Sequence, residues 1–121
     1  ATSKEAFAAC AKETAAVLFA QNTSCKVVAN TFRFTPEGAG VHYYAALDTR
    51  EEQAVSVSFD ANSVIDKVGS GDCFMAGLIY GIHNGHTHQE TINYAASAAF
   101  GKLQELGDST KQTIEQIKSR Y

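Results

Sequence analysis

At 121 residues, with a 45% hydrophobic share, one proline and a formal charge of −3, the chain suits one small domain with a single core. The charge excludes the basic footprint of a nucleic-acid or anionic-membrane binder, and no apolar run nears the ~20 residues of a membrane span. Cys10, Cys25 and Cys73 are odd in number and form no CxxC pair, and Ala1 to Glu5 lacks a signal-peptide core, so a reducing, cytoplasmic setting is expected.

In chain order, Ser3 to Ala20 predicts a helix covering one sheet face. Phe7, Cys10, Ala11, Val17 and Leu18 lie near helical spacing, and Thr2 with Glu5 suits a capping box. Cys25 to Phe34 reads as a strand buried on both faces, as in a parallel sheet, and Thr35 to Gly40 as a turn. Val41 to Leu47 and Gln53 to Phe59 predict a hairpin, joined by the charged run from Asp48 to Glu52. Asn62 to Asp66 then leads, as a strand end, into a glycine turn. Phe74, Leu78 and Ile82, flanked by Met75 and Ile79, make a helical core stripe that ends near Asn84-Gly85. Thr87 and Glu90 suit a capping box for a helix packed through Ile92, Ala95, Ala96, Ala99, Leu103 and Leu106 and stopping at Gly107. A last helix is expected from about Ser109 to Tyr121, with Asp108 as a natural N-cap.

Chemistry concentrates in Asp66-Lys67-Val68-Gly69-Ser70-Gly71-Asp72-Cys73-Phe74-Met75-Ala76-Gly77. Gly69 and Gly71 lack Cβ, so backbone N–H groups can converge on one point, and the helix that follows adds unpaired amides and the positive end of its dipole. Phosphate fits such a place. Asp72 would repel it unless the carboxylate takes a proton from an attacking hydroxyl while the amides of Ser70, Gly71 and Asp72 stabilise the transferred group. A capped helix after a tight turn remains the plain alternative. The chain has no GxxxxGK string, and Phe74 stands where a dinucleotide fingerprint needs its third glycine. His83, His86 and His88 crowd one inter-helix connection, more in keeping with a solvated loop than with a metal site.

The run from Asp66 to Gly77 resembles the C-terminal signature of the ribokinase (PfkB) family of carbohydrate kinases, with Lys67 in place of the usual Thr or Ser. The order of elements around it, Gly107-Asp108 included, resembles the same family. The Asn30-Thr31-Phe32-Arg33 segment and Gly107-Asp108 are most similar to its 2-keto-3-deoxygluconate kinase branch. The resemblance implies a ribokinase-like α/β fold, a mostly parallel sheet with an edge hairpin, covered by helices. Residues 1–121 would be its C-terminal nucleotide-binding and catalytic-base portion, without the N-terminal sugar site, magnesium motif and lid.

It implies a kinase moving the γ-phosphoryl of ATP to a sugar or sugar-acid hydroxyl, with magnesium riding on the nucleotide and a homo-oligomer when intact. Asp72 would be the base; Gly69, Ser70 and Gly71 would build the phosphate turn. Ala96 would shape an adenine shelf, Asn30 would reach toward nucleotide phosphates, and Asp108 would lie near the sugar. Asp66 would help hold a monovalent cation such as potassium. A non-catalytic nucleotide-binding module completed by a partner chain is the other reading of the same features.

Overall fold

The computed structural model describes residues 3–121 and has an open four-stranded sheet with helices on both faces. Helix α1 spans Lys4–Gln21 and is capped by Ser3, whose Oγ accepts from Ala6 N at 3.1 Å. Thr2, one half of the expected capping box, lies outside the described residues. The buried face of α1 is Ala8, Ala11, Ala15 and Phe19, while Cys10, Val17 and Leu18 are exposed. Of the expected stripe only Ala11 is buried, because a helix laid flat on a sheet packs closest through its smallest side chains.

Strand β1 (Val28–Phe34) pairs antiparallel with β2 (Val41–Asp48), and β2 pairs antiparallel with β3 (Gln53–Val55) and β4 (Phe59–Ala61). All pairs among the described residues are therefore antiparallel, not mostly parallel as expected. Only the six residues 35–40 separate β1 from β2, too few for a parallel crossover. The outer edge of β1 carries no strand among the described residues, so β1 is half-buried rather than a central strand.

The second hairpin strand also breaks early. Ser56 N donates to Ala45 O at 2.8 Å and Ser56 Oγ accepts from Ala45 N at 2.9 Å, so one residue satisfies both backbone groups of Ala45. The chain leaves the ladder there and returns as β4. Residues alternate along β2: Tyr44 stacks on Phe32 on the α1 side, while Val41, Tyr43, Ala45 and Leu47 enter the main core on the other.

That core is closed by α2 (Ser70–His83) and α3 (His88–Lys102). A Cβ on Gly77 would lie 2.7 Å from Ala95 Cα, and one on Gly81 2.5 Å from Thr91 Oγ1, so the glycine side of α2 is its contact with α3. This sets the rotation of α2: Phe74 and Leu78 are buried, but Met75, Ile79 and Ile82, the last expected in the core, are exposed. Thr87 Oγ1 accepts from Glu90 N as expected, whereas α3 stops at Lys102, not at Gly107, leaving Leu106 82% exposed. The last helix is the short α4 (Ile114–Lys118), with a complete capping box between Thr113 and Gln116; neither Asp108 nor Ser109 caps it.

Replacing Gly77 by Val is expected to lower stability by about 1–3 kcal/mol, because backbone on α3 must move to admit the side chain. An unchanged urea midpoint for Gly77→Val would contradict the α2–α3 contact described.

Candidate active site

No strand delivers the chain into the glycine turn. Residues 62–69 are irregular and are held from below, where Ile65 N and Asp66 N both donate to Leu103 O, at 2.8 and 3.3 Å. Asp66 clamps the turn: Oδ1 accepts from Val68 N and Oδ2 from Gly107 N, each at 3.0 Å. Those two N–H bonds, with a smaller contribution from the Lys102 charge, hold its carboxyl below the ordinary 3.8. Gly69 is the N-cap of α2 at φ +85°, and a Cβ there would lie 2.2 Å from the Asp108 carbonyl oxygen. Only glycine satisfies both demands.

The first turn of α2 leaves amides free. Cys73 N donates to Gly69 O at 3.0 Å and Ser70 N to Lys67 O at 3.3 Å, while Ser70 Oγ donates to the buried Ala99 O at 3.0 Å. Ser70 is thus a strut between α2 and α3, and its amide, expected in the anion hole, is already used. Gly71 N and Asp72 N have no partner among the described residues, as helix geometry requires of first-turn donors. Gly71 is exposed, and a Cβ on it would meet nothing within 4 Å. It opens on a cleft of about 600 Å³ lined by Thr31, Arg33, Tyr43, Lys67, Val68 and Ser70. Two cationic side chains and a helix N-terminus therefore face one open space, with the exposed carboxylate of Asp72 beside Gly71.

The other expected site residues are dispersed. Asn30 lies in an adjoining groove with Gly71, Met75 and Ile79, its amide nitrogen buried without a partner among the described residues. Its neighbours Thr31 and Arg33 are the β1 residues that line the cleft. Ala96 is 0% exposed within the main core, so its methyl cannot form a surface shelf for a base; α3 is buried along its C-terminal two thirds. Asp108 is exposed and meets the site through its backbone carbonyl against Gly69. His88 pairs with Glu52, and His86 lies edge-on to Tyr80.

No group of three His, Cys, Asp or Glu side chains suited to a metal is found among the described residues. Backbone N–H groups take one acceptor site on each oxygen of Asp66, the expected potassium ligand. Tyr43 and Lys102 were not singled out from sequence. The only available signal for Lys102 was a lysine closing an otherwise small and apolar helical run.

A family profile described as pfkB family carbohydrate kinase matches residues 4–115. Among solved structures, a 2-dehydro-3-deoxygluconokinase from Thermotoga maritima is 25% identical, with a TM-score of 0.84 over 98% of this chain and 34% of its own. A PfkB family carbohydrate kinase from Listeria grayi is 22% identical, with a TM-score of 0.82 over 88% of this chain and 33% of its own. The chain thus spans about a third of the length of these kinases and has their ribokinase-like α/β fold. No curated protein sequence matches it.

The two turn glycines are expected to respond differently. Gly69→Ala should cost about 1–3 kcal/mol from strain and collision, and Gly71→Ala within about 0.5 kcal/mol, as read by urea denaturation. The Asp66 clamp also has a pH signature. Because the folded carboxyl lies below its ordinary 3.8, its contribution is complete above that value and is lost as pH falls toward the lowered one. The stability gap between the parent and Asp66→Asn should therefore narrow in that acid window; a constant gap would argue against the clamp.

Proposed function

Since the chain belongs to the pfkB family of carbohydrate kinases, we propose that it carries the base and the phosphoryl-binding turn of an ATP-dependent sugar kinase. The observation that carries this reading is the free pair of amides at Gly71 and Asp72, the first of them at a cleft with Arg33 and Lys67, next to an exposed carboxylate. In the proposed reaction Asp72 accepts the proton of the acceptor hydroxyl. The hydroxyl oxygen bonds to the γ-phosphorus, and the bond from that phosphorus to the β–γ bridging oxygen breaks, releasing ADP. The Gly71 and Asp72 amides, with Arg33 and Lys67, stabilise the equatorial oxygens as charge spreads over them.

Magnesium bound to the nucleotide supplies charge neutralisation on its phosphates. Lys67 and Arg33 add fixed cations from the protein, and Asp66 and Ser70 hold the turn without touching the reactants. A substrate of the 2-keto-3-deoxygluconate kind is favoured by the likeness to the Thermotoga maritima enzyme. In this reading the chain is the C-terminal third of the kinase. The remainder, bearing the sugar site and lid, continues the sheet from the free edge of β1 and covers Met75, Ile79 and Ile82. Its setting is the cytoplasm.

In the intact enzyme Asp72→Asn should lose at least ~10³-fold in turnover while nucleotide affinity stays within a few-fold, because the base acts mainly in the transition state. Near-normal turnover on 2-keto-3-deoxygluconate and other sugars would remove Asp72 from the mechanism and favour a non-catalytic nucleotide-binding module. Gly71→Val should fold but bind nucleotide at least ~10-fold more weakly, since its side chain fills the space left for phosphate.

A further inference from the structure

Lys102 is 0% exposed at the last turn of α3, although lysine is almost never fully buried unless paired. Among the described residues no carboxylate lies within ion-pair distance of it, and its Nζ makes a single hydrogen bond, donated to Glu105 O at 2.8 Å. It sits where two loops cross. Leu103, the next residue, holds the turn-bearing loop by accepting from Ile65 N and Asp66 N. Glu105 organises the following loop by accepting from Thr110 Oγ1 at 2.6 Å and Lys111 N at 2.8 Å. Asp66 bridges the two loops through Val68 N and Gly107 N.

The charge is felt on both sides of that crossing. It adds to the N–H bonds that hold Asp66 low. It also helps the Thr110 and Lys111 bonds keep Glu105 low against burial. In the first turn of α2 it opposes the burial that pushes the Cys73 thiol up. A buried lysine next to the loop that carries the anion-binding turn is thus built into the chain, and its charge acts on Asp66, the residue expected to hold a potassium ion.

We infer that Lys102 is a positioning residue whose buried ammonium serves as the fixed cation under the Gly69–Asp72 turn, so that this kinase works without a bound monovalent cation. The inference rests on the phosphoryl-transfer reading for its catalytic consequence, but not for its electrostatics. Lys102 acts through Asp66 and the Leu103–Gly107 loop, keeping the turn's amides aimed at the cleft, and touches no reactant.

The test compares the intact parent enzyme with Lys102→Ala in potassium chloride and in tetramethylammonium chloride at equal ionic strength. Thermal midpoint and steady-state turnover are both read. The parent should melt within ~1 °C in the two salts, whereas Lys102→Ala should melt ~3 °C or more higher in potassium, which enters the vacated position and binds only the folded state. Parent turnover should differ less than ~2-fold between salts. Lys102→Ala should lose at least ~10-fold in kcat with little change in nucleotide KM, and potassium alone should restore part of it. A parent stabilised or activated several-fold by potassium overturns the inference, as does a folded Lys102→Ala indifferent to it. If the variant fails to fold, the parent's response to the two salts decides. The melting comparison needs no phosphoryl transfer, so a parent inactive on every sugar would sink the kinase reading while the salt response still judged Lys102.

Discussion

The backbone of Gly69 packs against the carbonyl of Asp108, and the site depends on this contact more than on any side chain. It is possible only because position 69 has no Cβ and adopts φ +85°, which lets the chain reverse within one residue and enter α2 with its first amides facing outward. Asp66 locks the same approach with two N–H bonds, and Leu103 O accepts two more from below. The turn is therefore fastened to the segment following α3 at three points, and an open cleft lies before it.

Helix–helix packing transmits the same constraint. Gly77 and Gly81 bring α2 onto α3 at backbone distance, and Ser70 Oγ on Ala99 O fixes the register of the two helices at the site end. Once that contact is made, the rotation of α2 is set. Gly71 must then face the cleft, and Met75, Ile79 and Ile82 must face away from α3. The apolar flank is a consequence of how the site is held.

Within the sheet, short connections decide direction. The link from β1 to β2 permits only an antiparallel return, and the Ser56 side chain ends β3 by satisfying Ala45 in place of a longer ladder. These local events put Thr31, Arg33 and Tyr43 along one wall of the cleft, opposite Lys67 and Gly71. The result is a cleft with two cationic side chains in a chain whose net charge is −3, so local charge differs in sign from the overall charge.

The sequence by itself located the candidate site. Two glycines two residues apart, an acid directly after the second and an apolar helix behind them mark a turn with free amides beside a carboxylate, because those properties belong to the backbone and to residue type. Helix caps at Thr87 and Asn84-Gly85 were legible for the same reason, being local. What only the tertiary structure decided depends on distance in the chain. The α2 stripe was misplaced because glycine carries no hydrophobic signal, yet Gly77 and Gly81 choose the buried face by close approach to a helix that comes later. A small residue such as Ala96 suits both a ligand shelf and a core, and burial alone separates the two. Ser70 and Asp66 changed roles because their partners, Ala99 and Gly107, lie 29 and 41 residues away. Lys102 gives no signal in the sequence because a lysine at a helix end is ordinarily solvated, and its full burial is set only by the folded chain.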